Sequence, residues 1–217
     1  MMSRNFICKL PLNASENCNV WLEELKDRTL IDWWEENIQP NIRKDTNRPD
    51  YDWNWRKQYD YFRILSLRKQ PCFFALCTKG KEGTVVLALC HCLTKEQYPP
   101  DTSLRSLFVW YLTSAPKPIL CNHIEQSQIP GLIGRGSLDA ALVESVAQGH
   151  SGRVWLHVAP EGGENLVNVY IKWGMHLIPK NTSVRRFGYE VNDKRYFYYD
   201  ENTSIKSIRK FDQYRES

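Results

Sequence analysis

The sequence predicts a mixed α/β (α+β) fold, with one mainly antiparallel, twisted sheet of about six to seven strands flanked by helices. Three observations predict it. Two β-rich runs, "CFFALCT" and "GTVVLALCHCLT", are separated by "KGKEG", the pattern of an antiparallel hairpin. A third apolar run, "LFVWYLTS" at 107–114, is followed by an amphipathic helical pattern and then by "RVWLHVA", the order of a βαβ crossover. The tail carries "FGYEV" and "RYFYY" around Asn192-Asp193, the pattern of a further antiparallel pair.

The elements follow in order. Residues 6–12 form a short apolar run, a first strand. In "VWLEELKDRTLIDWWEENI", Leu22, Leu25, Leu30, Trp33, Trp34 and Ile38 recur at mixed spacings of three and four, which predicts one bent helix or two short ones stopped by Pro40. "NIRKDTNRPDYD" reads as a polar loop. Trp55, Tyr59, Phe62 and Ser66 share one helical face, flanked by Leu65, and Pro71 ends that helix. After the hairpin, the strand at 107–114 stops at Ala115-Pro116. Leu138, Ala141, Leu142, Ser145 and Val146 follow the i, i+3, i+4, i+7, i+8 pattern of an amphipathic helix that begins near Gly136, and Gly149 is placed to stop it. "ENLVNVYIKWG" is a second helix closed by Gly174, and Ile205, Ile208 and Phe211 mark a terminal helix. With no repeat or linker, the chain reads as a single domain, 1–217. Its N-terminal strand and helices span 1–70, a core spans 71–175, and C-terminal strands and a helix span 176–217.

Composition narrows the functional classes. The 217 residues are 42% apolar and 25% charged, enough for one core. A net charge of +4 argues against nucleic-acid binding and is compatible with anionic ligands. "MMSRNFICKL" lacks the apolar run of a secretory signal, and no run reaches the ~20 residues of a membrane helix. Seven cysteines, an odd number, fit a reduced, cytoplasmic compartment. Cys90 and Cys92 share one strand face and His91 the other, while Cys72 and Cys77 face apart, so the thiols read as small buried residues and no metal is expected.

The segment "QIPGLIGRGSLDAALVESVAQG" carries the chemistry. Gly131, Gly134 and Gly136 precede a helix whose first amides are unpaired and whose dipole is positive there, so they can present N–H groups to a pyrophosphate, with Arg135 adding charge. A surface loop with capping glycines fits the same spacing. A nucleoside-triphosphate loop would end in Gly-Lys-Ser/Thr, and a dinucleotide fold would place its glycines directly after the strand. Neither holds here.

Taken in order, strand, Pro116, loop, Gly134-Arg135-Gly136, helix, Gly149, "RVWLHVAP" and "ENLVNVYIKWGM" resemble the GNAT superfamily of N-acetyltransferases. The resemblance is best over 107–175. It implies a central pair of splayed strands, a Q/R-x-x-G-x-G/A loop for the pyrophosphate of acetyl-CoA, and a tyrosine-bearing helix, matched by Tyr170, Lys172 and Gly174 with Met175 in place of the usual phenylalanine. By carry-over, Leu112, Thr113, Ser114, Gly131, Ile133, Gly134, Arg135, Gly136, Ser137, Asn165 and Tyr170 contact acetyl-CoA. Tyr170 would also act as the acid that protonates the departing thiolate.

The chain departs from the family at Gly131, which stands at the Gln/Arg position, so that contact is missing or comes from Arg135 or Gln128. It also departs by about a dozen extra residues after Pro116, and by Gly163 at the usual asparagine, with Asn165 two positions on. The strand at 107–114 carries no carboxylate to act as base. His157, an imidazole of the kind most used for proton removal, is the catalytic-base candidate, with Glu161, Glu164, Glu125 or a water chain as alternatives.

The function implied is direct acetyl transfer from acetyl-CoA to a primary amine of a small molecule or protein, by a monomer or homodimer. The alternative is a GNAT-shaped acyl-CoA-binding or protein-interaction module without catalysis. Trp33, Trp34, Trp53, Trp55, Tyr196, Tyr198 and Tyr199 are candidates for lining an acceptor groove.

Overall fold

A computed structural model describes residues 5–13, 15–69, 71–186, 189–190 and 193–216, with side chains at all of these except 65–69, 185–186 and 189–190. The expected side-chain positions of Leu65 and Ser66, and Phe187, Gly188, Val191 and Asn192 of the expected tail pair, lie outside the described residues.

The elements run β1 (Lys9–Pro11), β2 (Asn17–Glu24), α1 (Thr29–Asn37), α2 (Gln39–Ile42), α3 (Trp55–Lys69), β3 (Pro71–Gly80), β4 (Gly83–Tyr98) and β5 (Asp101–Ser114). They continue with α4 (Lys117–Leu120), α5 (Ile133–Ala147), β6 (Val154–His157), α6 (Gly163–Lys172), β7 (His176–Leu177), β8 (Arg185–Arg186), β9 (Tyr189–Glu190), β10 (Tyr196–Tyr199) and α7 (Glu201–Arg209). Among the described residues, an eight-stranded sheet has the order β1-β2-β3-β4-β5-β6-β10-β7, and β8 and β9 pair separately. The sheet is antiparallel except where β5 meets β6. The mixed, mainly antiparallel architecture is as expected, with one strand more than the upper count.

The strands of this sheet that the sequence did not predict are β2 and β7. Leu22 and Leu25 stand at helical spacing, yet residues 20–24 form a strand on β3 in which Val20 opposes Thr78 and Leu22 opposes Leu76. A short 3–4 spacing does not resist pairing when a neighbouring strand has an open edge. Two short helices then follow, and Pro40 opens the second rather than stopping the first, because its missing N–H costs nothing in a first turn. The hairpin closes through Lys81-Glu82, and β3 and β4 are buried on both faces from Cys72 to Thr78 and from Val85 to Thr94, which is why they read as unbroken apolar runs. β5 begins at Asp101, before the expected 107. The aromatic tail pairs differently from expectation: Tyr196–Tyr199 inserts between β6 and β7, with Tyr196 opposite His157.

Leu138, Ala141 and Leu142 of α5 pack on Leu107, Val109, Val154 and Leu156, one face of the central strands. Each fully buried leucine there contributes about 1.5–3 kcal/mol. Phe62 of α3 packs on Phe108 and Trp155, the other face. Gly149 (φ +79°) and Gly174 (φ +94°) end α5 and α6 in the left-handed region that favours glycine. The free cysteines fill core space. Cys72, Cys90 and Cys92 share one cluster and Cys77 another. Among the described residues, no helix is long and apolar enough to cross a membrane.

Candidate active site

β5 and β6 run parallel and pair only over Leu107–Val109 and Val154–Leu156. Beyond Val109 they part, and the cause is visible in β5. Cys92 opposes Val109 and His91 opposes Tyr111, so Trp110 is an extra residue with no partner on β4. This bulge bends the strand and raises its twist, which carries its C-terminal half away from β6. It also sets Trp110 and Tyr111 side by side, their rings stacked at 6.2 Å.

A cavity of about 570 Å³ fills the gap. Leu112, Thr113, Ser114, Gly134, Leu156, His157, Asn165, Tyr170 and Trp173 line it, together with Arg48, Asp50, Trp53, Trp110 and Tyr111. The Ala115 amide donates to Leu87 O on β4. In an antiparallel ladder the next residue along faces the opposite way, so Ser114 and Leu112 turn their backbone groups into the gap, while those of Thr113 face β4.

The glycine segment divides in two. The helix begins at Ile133, earlier than the expected Gly136, and Leu132 precedes it in the left-handed region (φ 57°). Gly136 N–H donates to Leu132 O, whereas among the described residues no backbone bond takes up the amides of Ile133, Gly134 and Arg135. Gly134 faces the cavity: a Cβ there would lie 3.4 Å from Trp173 Cη2 and 3.7 Å from Ser114 Oγ.

The Ile133 side chain is buried in the core, and four further expected contact residues face elsewhere. Gly131 N–H is taken by Pro11 O at 2.7 Å. A Cβ on Gly136 would lie 2.8 Å from Ile7 Cδ1, so this glycine admits the N-terminal segment against α5. Ser137 is buried and its hydroxyl donates to Ile133 O. The Arg135 guanidinium lies 5.6 Å from the centre of the Phe211 ring and does not line the cavity. Alternating glycines and polar residues read as one loop in sequence, but once they wind into a helix they point to different sides. Gln128 is exposed, outside the cavity lining.

Tyr170 is buried between Trp173 and Phe197, with ring centres 5.4 and 6.3 Å away. Burial pushes its phenol well above its ordinary value, so the group stays protonated throughout the neutral range. His157 ends β6 with Nε2 2.7 Å from Asp193 Oδ2. Glu161 and Glu164 are exposed and do not line the cavity, and Glu125 pairs with Lys81 at 3.4 Å.

Sequence reasoning missed the carboxylate. Asp50, 3% exposed, comes from the segment read as a polar loop. Arg48 holds it by two bonds of 2.8 and 2.7 Å, Thr113 Oγ1 donates to it, and Arg48 also donates to Ser114 O at 3.2 Å. The loop is thereby latched across the parted half of β5. "RPD" before an aromatic pair is the one local signal, and it does not reveal a partner 63 residues away. The expected aromatic groove is also revised. Trp34, Trp55, Tyr196 and Tyr199 are core, with exposures of 2% or less, whereas Trp53 lines the cavity together with Trp110 and Tyr111. Among the described residues no group of His, Cys, Asp and Glu is arranged to hold a metal ion.

No family model matches the sequence, and no curated protein matches it. Solved structures do. A GNAT-family acetyltransferase from Staphylococcus aureus superposes with a TM-score of 0.51 at 12% identity, over 84% of this chain and 99% of that one. A chimera of the spermidine N-acetyltransferase from Vibrio cholerae superposes with a TM-score of 0.50 at 14% identity, over 86% and 98%. With its sheet order, parted central strands and helix-led cavity, the chain has the fold of the GNAT-family acetyltransferases.

Proposed function

We propose that the protein is an acetyl-CoA-dependent N-acetyltransferase acting on a primary amine of a small molecule or protein. The observation that carries this reading is the opening between β5 and β6, with the unpaired amides of α5 at one end and a buried tyrosine in its wall. The fit to coenzyme A is physical. Unpaired first-turn amides and the positive helix end suit a pyrophosphate. Gly134 leaves room for close approach, and the outward backbone groups of Leu112 and the Ser114 N–H suit an amide-bearing arm. When bound, acetyl-CoA supplies a thioester as acetyl donor.

The chain's own residues divide the remaining work. The Leu112 backbone orients an extended ligand along the strand edge. Trp53, Trp110 and Tyr111 exclude water from the acceptor side. His157 takes a proton from the acceptor ammonium so that a neutral amine can attack. Tyr170, kept neutral by burial, gives its proton to the departing sulfur. Asp50 is held by Arg48 and Thr113 and serves to latch the 43–54 loop rather than to accept protons. The Asn165 side chain is a further candidate contact at the start of α6.

Incubating the protein with acetyl-CoA and a panel of amines, with thiol release followed over time, tests this reading. Amine-dependent release that is lost in Tyr170→Phe supports it. Cofactor binding without release from any amine would favour the non-catalytic acyl-CoA-binding module.

A further inference from the structure

We propose that Asp193 is a positioning residue for His157. It holds the imidazole with its proton on Nε2 and leaves Nδ1 as the proton-accepting atom. The inference rests on the acetyltransferase reading for its consequence, but its geometry stands independently.

An ionised carboxylate only accepts hydrogen bonds. With Nε2 2.7 Å from Asp193 Oδ2, a neutral His157 ring must carry its proton on Nε2. Among the described residues no hydrogen bond takes up Nδ1. The ring also packs against Tyr196, with centres 4.5 Å apart, which restricts its rotation.

Asp193 is itself held in place. Its Oδ1 accepts the Arg195 amide at 3.1 Å. The Arg195 guanidinium donates to Val158 O at 3.0 Å, and to Ala159 O and Gly163 O at 3.1 Å. The Val158 amide returns a bond to Arg195 O at 2.9 Å. The turn at 193–195 is thus stapled to the cavity wall between β6 and α6, and Lys194 adopts φ +66° within it. Among the described residues, the charged groups near His157 include Asp193 beside it, Lys194 in the same turn, Arg195 bound to three carbonyls, and Arg48 and Asp50, which share the cavity lining with it and pair with each other.

The proton balance is simple. One proton leaves the acceptor ammonium for Nδ1, the nitrogen keeps its electron pair, and the resulting imidazolium lies against the Asp193 carboxylate. The His157 side chain is 19% exposed, so that proton can pass on to solvent.

The test uses the full-length protein. Nitrogen-15 NMR of the histidine rings reports which nitrogen carries the proton, with His157→Gln assigning the signal. The wild type should show a hydrogen-bonded, slowly exchanging Nε2–H at His157, and Asp193→Ala should lose it. Asp193→Ala should lower kcat about ten- to a hundredfold, with KM for acetyl-CoA within about twofold. Asp193→Asn, which keeps the shape of the turn, should lose activity while folded, and Asp193→Glu should recover part of the loss. A wild-type ring protonated on Nδ1 would overturn the proposal, as would an unchanged kcat in Asp193→Ala when His157→Ala lowers it. If His157→Ala leaves kcat unchanged, the base role fails, and the ring signal alone decides the pairing.

Discussion

The two walls of the cavity are assembled in different ways. One wall comes from strand ends and helix starts: the end of β5, the first turn of α5, and α6. The other wall is gathered from distant places. Arg48, Asp50 and Trp53 come from a loop before α3, and His157 is held by a residue 36 positions further on. The first wall is set by helix starts and strand ends, which local sequence controls. The second exists only after the sheet has closed. Changes in the first wall should alter ligand binding and chemistry directly, whereas changes in the second should act through the latches that hold it.

The largest expected effect lies in the first wall. Tyr170→Phe keeps the packing against Trp173 and Phe197 and removes the proton donor, so kcat should fall about 10²–10⁴-fold while acetyl-CoA still binds. Because burial raises the Tyr170 phenol, its titration should not appear as an alkaline limb near its ordinary pKa of about 10 in the pH–rate profile. A limb there that vanishes in Tyr170→Phe would contradict the assignment.

In the second wall, Asp50→Ala leaves Arg48 without its carboxylate and unlatches the loop from Thr113. Removing one member of a buried pair costs about 3 kcal/mol, to be read as a drop in denaturation midpoint at constant slope. A variant as stable as the wild type would show that the latch contributes nothing.

Gly136→Ala sharpens the division within the glycine segment. Its methyl would press on Ile7, and overpacking of this kind costs about 1–3 kcal/mol of stability, with acetyl-CoA affinity unchanged. The smallest effect is expected at Arg135. Arg135→Gln should change acetyl-CoA affinity by less than about threefold, because its guanidinium packs on Phe211 outside the cavity.

The same contrast explains what could be read from the sequence. The β3–β4 hairpin, the apolar stripe of α5 and the glycine stops at 149 and 174 follow from local pattern, and they place Leu112, Ser114, Gly134, Asn165, Tyr170 and His157 at the cavity. β2 was misread because Leu22 and Leu25 extend the three-and-four spacing of the helix that follows, and only the open edge of β3 decides. Gly136, Ser137 and Arg135 face away from the cavity because the helix starts three residues early, and Gly131 because its amide pairs with Pro11 O. The bulge at Trp110 cannot be read from alternation, since it breaks alternation, and it is what brings Trp110 and Tyr111 to one face. Local sequence does not reveal the partners of Asp50 and Asp193. Their roles are pairings across 63 and 36 residues.

The most direct test of the central claim, that the opening beside α5 binds acetyl-CoA, is thermal denaturation with and without the cofactor, comparing wild type with Gly134→Val. A valine side chain extends from a Cβ only 3.4 Å from Trp173 and fills the approach to the free amides. At a hundredfold excess over Kd, the wild type should gain about 2.7 kcal/mol, and the folded variant should gain far less. A wild type that gains nothing at saturating acetyl-CoA, or a variant stabilised equally, would contradict the account.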